Sequence, residues 1–363
     1  MNTNKIISEY RKQFYYAYHN KIMPMLLAFK NKRQLYLTKL ILIESIILSM
    51  IFGGLVYSLL KIGYMLEIFI IAGIVCFLGL IIPPCILNDM FVKELKNYCL
   101  KPVLDIFGSI TWNKSVIDDA ELNASELFAS FNRRSTDDAF EGEYKGVKFQ
   151  IAETSLAYES GSGKNRHCRQ IFKGVVIKFA SNKSIKGKTI IATKGDNNIK
   201  RNGWISTIGS FMICVLVQCL GIESSERFSF IVIILGVLLL IMLVTSLCNK
   251  DSKKIQPIKL EDPLFEKKFN AYSTDEIEGR YLITTAFMER FINLNTAFGS
   301  RKAKCSFYGD NVMFAISTNK NLFEIGDLFS RLDNPKQLNE FFNEIASILV
   351  LVDYFKLNQK TGL

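Results

Sequence analysis

In "RHCRQ", residues 166–170, Cys168 stands beside His167 with Arg166 and Arg169 as neighbours. The thiolate is the nucleophilic form of cysteine, and positive neighbours favour it. Consecutive residues of a strand point to opposite faces, however, and no nearby acid is placed to orient the imidazole. The stretch reads better as a solvated hairpin rim, with a membrane-bound enzyme using Cys168 as an alternative. "GSGKN", residues 161–165, resembles part of a phosphate-binding loop. Tyr158 occupies the position of its first glycine and Asn165 that of its Ser/Thr, so a flexible hairpin is expected there. His19 and His167 are the two histidines, a poor basis for a zinc site. No catalytic, metal or cofactor constellation is expected. The last residue of chemical interest is Glu44, inside an apolar run. A carboxylate in hydrocarbon is costly and can mark an ion or proton path. Glu44 lies about one turn inside, within reach of the interface or of Lys39. A transporter or channel-like component using Glu44 is the other alternative.

The elements that must position these residues begin with the apolar runs. A helix crosses the hydrocarbon core with about 20 apolar residues. Four stretches qualify: Leu40–Leu60, Met65–Leu87, Trp204–Ile222 and Phe228–Leu247. "KIGY" separates the first two and "ESSER" the last two, so they form two helical hairpins. Ser45, Ser49 and Gly53 repeat at a spacing that lets helices approach closely, and Pro83 with Pro84 should end the second helix. The chain has 363 residues and a net charge of +11, most of it ahead of residue 40. Lys30, Lys32, Arg33 and Lys39 precede the first run, Lys93, Lys96 and Lys101 follow the second, and similar groups flank the other pair. Bases beside apolar runs set orientation rather than mark nucleic-acid binding. All large polar parts therefore face the cytoplasm, N- and C-termini included, in a multi-pass protein of a bacterial inner membrane. Lys194, Lys200, Arg201, Lys253 and Lys254 are placed to touch anionic headgroups. The eight cysteines include no CxxC pair, which suits free thiols in a reducing compartment. No cleavable signal peptide is read at the start.

Between and after these runs the pattern is α+β: a small antiparallel sheet plus helices. Phe91, Leu95, Cys99 and Val103 recur at helical spacing. Val147, Phe149 and Ile151 alternate as in a half-buried strand, as do residues of "RQIFKGVVIKFA"; "GKTIIAT" is a third strand. "LFEKKFNAYS" resumes alternation at Phe265, Phe269 and Ala271. Ser273 with Glu276 suggests a capping box, and Thr284 a boundary between two short helices. "AKCSFYGDNVMFAIS" is a hairpin turning at Gly309-Asp310. A helix beginning at Asn334-Pro335 has its apolar face at Leu338, Phe341, Phe342, Ile345, Ile348, Leu349, Val352 and Phe355. The expected organisation is a cytoplasmic N-terminal segment (1–39), a first membrane hairpin (40–87), the first part of the α+β domain (88–203), a second hairpin (204–247) and the rest of the domain (248–363). One domain interrupted by a membrane hairpin accounts for two halves that each lack covering elements; two separate domains is the competing reading.

"FEGEYKGVKFQIAETSL", "IFKGVVIKF", "LFEKKFNAYSTDEIEGRYLITTAFMERFINL" and "KIMPMLLAFKNKR" resemble a bacterial family catalogued as domain of unknown function 3137. The resemblance spans most of the chain from about residue 20; the hairpin at 204–247 departs from the family pattern. It implies a two-helix membrane anchor, a cytoplasmic α+β domain and no established activity, with a LemA-like membrane protein as a partner. The expected function is a multi-pass membrane protein whose cytoplasmic module binds, senses or scaffolds, with the lipid bilayer, a protein partner or a second copy as its contacts.

Overall fold

A computed structural model describes residues 3–60, 65–113, 116–181, 184–196, 255–297, 302–332, 335–355 and 357. The strands are β1 (Ile110–Asn113), β2 (Arg133–Tyr144), β3 (Val147–Ser160), β4 (His167–Ala180), β5 (Lys188–Thr193), β6 (Gln256–Ile258), β7 (Phe269–Ser273), β8 (Lys302–Tyr308) and β9 (Asn311–Ser317). They hydrogen-bond as one nine-stranded antiparallel sheet in the order β1-β2-β3-β4-β9-β8-β5-β7-β6. The sheet is larger than the small one expected. β1 and the start of β2, "RRSTDD", escape the alternation rule because they carry polar residues, several of them exposed. The helices are α1 (Thr3–Ala17), α2 (Met23–Leu60), α3 (Met65–Leu104), α4 (Asp119–Ser125), α5 (Pro263–Lys268), α6 (Glu276–Leu282), α7 (Thr285–Ala297) and α8 (Lys336–Tyr354).

Contacts divide the chain into two units. The first lies within Met1–Val116, Thr136–Glu153 and Thr318–Gln359. Its centre is α8, whose expected apolar face is buried from Leu338 to Phe355. Phe342 meets Phe14 of α1 with ring centroids 4.6 Å apart, and Phe107 at 5.2 Å. Lys145 and Gly146, both at positive φ, turn β2 into β3, as a two-residue hairpin requires. Lys145 Nζ and the Tyr144 hydroxyl then both donate to Asp353 near the end of α8, at 2.6 and 3.0 Å.

Two helices of this unit are long and apolar enough to cross a membrane. α2 has 38 residues and α3 has 40, so each is close to 60 Å long, about twice the hydrocarbon thickness. Their apolar parts are bare: Ile41, Met50, Phe52 and Phe77 are 65–70% exposed. Their other ends are packed, with Phe29, Phe91, Leu95, Cys99 and Val103 at most 2% exposed. α3 does not stop at Pro83 and Pro84; it runs through them and through Pro102. The two prolines deprive the Gly79 and Leu80 carbonyls of helical donors, yet the helix continues past them into its packed C-terminal half. α2 and α3 come close at Gly79, where a Cβ would lie 2.8 Å from Ile47 Cγ2. Gly53 has nothing near it, so the close approach does not use the Ser45–Gly53 spacing. Gly79→Val is expected to lower stability by about 1–3 kcal/mol, read as a lower unfolding midpoint of the full chain in detergent.

The second unit lies within Ile117–Ser135 and Thr154–Ser317. β5 pairs with β7 and β8, and the Lys194 N–H donates to the Lys268 carbonyl at 2.8 Å. Chain on both sides of residues 197–254 therefore shares one sheet. The expected third and fourth apolar helices, 204–247, lie outside the described residues. Phe265 belongs to α5 rather than to a strand: Asp262 accepts from the Leu264 and Phe265 N–H groups, and Pro263 occupies the first turn, a strong helix start. The cap of α6 is Asp275, which accepts from Ile277 and Glu278, whereas Ser273 Oγ accepts from the Asp275 N–H. Thr284 Oγ1 accepts from Phe287 N at the start of α7, and Gly309 at φ +53° turns β8 into β9.

Candidate functional site

Residues 318–332 form neither helix nor strand, yet Leu322, Phe323, Ile325 and Leu328 are buried. Buried backbone groups outside regular structure need other partners. Side chains from four elements supply them. The Leu322 N–H donates to both carboxylate oxygens of Glu153 on β3, at 3.3 and 3.1 Å. The Phe323 N–H donates to Glu344 on α8 at 2.7 Å. Asn88 on α3 accepts from Leu328 N, and Arg33 Nε on α2 donates to the Leu328 carbonyl, each at 2.9 Å. Phe323 adopts φ +59°, a left-handed conformation unfavourable for a bulky side chain. Its ring packs edge-on against Phe140, with centroids 5.0 Å apart. Gly326 passes so near α3 that a Cβ would lie 2.9 Å from Leu95 Cδ2. The segment is a strap, fastened by both long helices, the sheet and α8.

Under the strap lies an ion centre. Lys96 of α3, 4% exposed, donates to Asp138 Oδ2 at 2.5 Å and to Glu324 Oε1 of the strap at 3.2 Å. Trp112 Nε1 donates to the other Asp138 oxygen at 2.9 Å. Carboxylate oxygens of Asp137, Asp138 and Glu153 lie within 4.8 Å of one another. Burial works against the Lys96 charge, but Asp138 and Glu324 outweigh it and hold the ammonium above its ordinary pKa. Burial raises Asp138, and Lys96 offsets only part of that. Burial pushes Glu153 up to about 8, reinforced by Asp137, Asp138 and Glu324 and opposed by the Leu322 N–H. Glu344 is pushed up to about 7, again chiefly by burial. Glu153 is therefore largely protonated near neutral pH, which limits the negative charge around Lys96. A divalent cation here would have to displace Lys96, since both Asp138 oxygens already have donors. What the arrangement can do is respond to protons, because two carboxyls holding adjacent strap N–H groups titrate near neutrality.

A family model described as "Protein of unknown function (DUF3137)" matches residues 170–357. The chain belongs to the DUF3137 family. The match includes Ile171–Phe179 and Leu264–Leu294, two of the phrases behind the expected resemblance; Lys21–Arg33 and Phe140–Leu156 lie ahead of it. Within this DUF3137 chain the matched part holds the whole strap and α8, while Lys96, Asp138 and Glu153 precede it. No curated protein matches the chain. Among solved structures, the crystal structure of the mycobacterial trehalose monomycolate transport factor A, TtfA, aligns at 9% identity and TM-score 0.31, over 70% of this chain and 90% of that one. Nothing is carried from it at that score.

The residues singled out in this DUF3137 sequence do not converge. Cys168 is exposed at the start of β4, and its neighbour Arg166 pairs with Glu159. Cys168→Ala is expected to shift stability by less than about 0.5 kcal/mol in a denaturant titration. Glu44 is half-buried on α2. Lys194 is exposed; Lys200, Arg201, Lys253 and Lys254 lie outside the described residues. The strap was not legible as a site. Lys96 reads as a flanking base, whereas Glu153 falls in step with Val147, Phe149 and Ile151, on the apolar side of an alternating strand. The available signals were that acid on an apolar face and "TDD", two adjacent acids running directly into Ala139 and Phe140.

Proposed function

We propose that this DUF3137 protein crosses a bacterial inner membrane with α2 and α3, keeps its folded body and both chain ends in the cytoplasm, and uses that body as a binding and sensing module rather than a catalyst. The observation that carries this reading is helix continuity. Each long helix passes unbroken from a bare apolar stretch into buried packing, and each then fastens the same strap, through Arg33 on α2 and through Asn88 and Lys96 on α3. Large exposed apolar surfaces mark contact with lipid or protein, and here they occupy both helices over membrane-spanning lengths. The bases at Lys30, Arg33 and Lys39 and at Lys93 and Lys101 favour a cytoplasmic body. A change in how the helices sit in the bilayer would be felt at the strap, because packed elements shift between discrete arrangements rather than deform smoothly. A LemA-like membrane protein or a second copy of the chain is the partner this reading favours.

Site-specific photo-crosslinking from the exposed surface of the body, in native membranes, tests the proposal. Capture of one of those two partners is expected. Ion flux through proteoliposomes of the purified chain, abolished by Glu44→Gln, would overturn the module reading in favour of transport.

A further inference from the structure

The strap is fastened differently on either side of Gly326. Beyond it, Asn88 and Arg33 hold the Leu328 backbone, and Asp327 accepts from the Phe329 and Ser330 N–H groups at 2.8 and 2.6 Å. Burial raises Asp327, but its bonds with Gln337 and Ser330 outweigh that and hold it below its ordinary pKa. It therefore keeps its charge near neutral pH, and Asn88 has none to lose. Ahead of Gly326 the fastenings are carboxyl groups: Glu153 on the Leu322 N–H, Glu344 on the Phe323 N–H and Glu324 on Lys96. Among the described residues, Glu153 faces Asp137 and Asp138 of β2 and Glu324 of the strap. Lys96 of α3 is bonded to the last two. Glu344 faces Glu340 of its own helix and Lys320 and Glu324 of the strap.

We infer that residues 321–325 form a proton-controlled latch, closed while Glu153 and Glu344 carry protons and swinging out above neutral pH while Leu328 stays fastened. The individual bonds are not what fails, since an ionised carboxylate accepts from an N–H more strongly than a carboxyl does. What changes is the cost of the closed arrangement. With Glu153 ionised, the carboxylates of Asp137, Asp138, Glu153 and Glu324 crowd about the ammonium of Lys96, and Glu153 and Asp138 are buried from water. Outward movement of the latch carries Glu324 away and hydrates the rest, relieving both repulsion and desolvation. The closed state then binds more protons than the open one, so opening is favoured as pH rises through neutrality. Phe323 would also leave its φ of +59°, which relieves backbone strain. Ring packing opposes opening: Phe323 lies 5.0 Å from Phe140 and 6.3 Å from Phe341. The open latch bares those two rings, an apolar surface of the kind a partner covers. As an input to a sensing module the latch rests on the reading above; the opening itself does not.

Hydrogen–deuterium exchange of the full-length chain in neutral detergent tests the latch, at pH 6.0 and 8.5, with rates corrected for intrinsic amide exchange and read by mass spectrometry. Protection of the Leu322 and Phe323 amides should fall by about tenfold or more between the two conditions. At pH 8.5 it should lie below that of Leu328 and of the amides inside α8. Glu153→Gln/Glu344→Gln keeps both acceptors and cannot ionise, so its strap should lose most of this pH dependence. Unchanged protection of the wild-type strap would overturn the inference. So would a strap that exchanges only together with α8 and to the same level, because the opening would then be global unfolding. A double variant whose strap protection falls as far as the wild type's would also overturn it, by removing the two carboxyls as its cause. The wild-type profile is decisive whether or not the variant folds, and it is independent of whether the helices span a bilayer.

Discussion

Replacing Lys96 by methionine is expected to destabilise the first unit by about 3–5 kcal/mol, the usual cost of stripping one partner from a buried ion pair. Lys96 and Asp138 side chains are 5% and 2% exposed, so water cannot readily take the place of the ammonium. The loss would fall on two groups: Asp138, left with Trp112 as a donor, and Glu324, through which the strap is tied to α3. A charge removed from both sides is a different experiment. Lys96→Met with Asp138→Asn keeps an acceptor for Trp112 and removes the buried charge of Asp138, while Glu324, 28% exposed, keeps Asn321 as a donor, so much of the stability should return. Guanidinium titration of the full chain in detergent, followed by tryptophan fluorescence, reads both variants. The account fails at this point if Lys96→Met costs less than about 1 kcal/mol, the level of a surface pair.

The second large effect is of pH. Glu153 and Glu344 hold protons more tightly when folded, near 8 and 7, than at their ordinary value of 4.5. In that interval the folded chain binds more protons than the unfolded one, so stability falls as pH rises. Their contribution is complete below about pH 4.5 and is lost as pH climbs through 7 and then 8. For Glu153 the loss is on the order of 3 kcal/mol, allowing for relaxation around the charged form. Unfolding free energies measured at pH 5.5 and 8.5 should show the wild type weaker at the higher pH. Glu153→Gln, which keeps an acceptor for the Leu322 N–H and cannot ionise, should be the more stable protein at pH 8.5 and lose much of the slope. A wild type as stable at pH 8.5 as at 5.5, or an unchanged slope in Glu153→Gln, would contradict the assignment.

What could be read from residues alone was whatever repeats. The face of α8 from Leu338 to Phe355, the run Phe91–Leu95–Cys99–Val103, and the hairpin at Gly309 all follow from period and turn chemistry acting locally. Failures came where a neighbour far along the chain decides the outcome. Pro83 and Pro84 are helix breakers by local rules, and α3 continues through them into a half that is packed against distant parts of the first unit. Phe265 is the local exception: it fits an alternating strand, but Asp262 and Pro263, three and two residues before it, cap a short helix there first. The strap has no period. Its structure comes from Arg33, Asn88, Lys96, Glu153 and Glu344, residues spread over most of the chain, and no spacing rule joins them. Burial turns ordinary charged residues into a titrating centre, and burial of that kind is a property of the tertiary fold.

The most direct test of the central claim, that α2 and α3 span the bilayer with the body inside the cell, is thiol labelling with a membrane-impermeant maleimide. Two otherwise cysteine-free proteins are compared in intact cells and in opened membranes: one keeping the exposed Cys168, the other carrying Lys61→Cys between the two helices. The account predicts that position 61 is labelled in intact cells and that Cys168 is labelled only once the membrane is opened. Labelling of Cys168 in intact cells would contradict it.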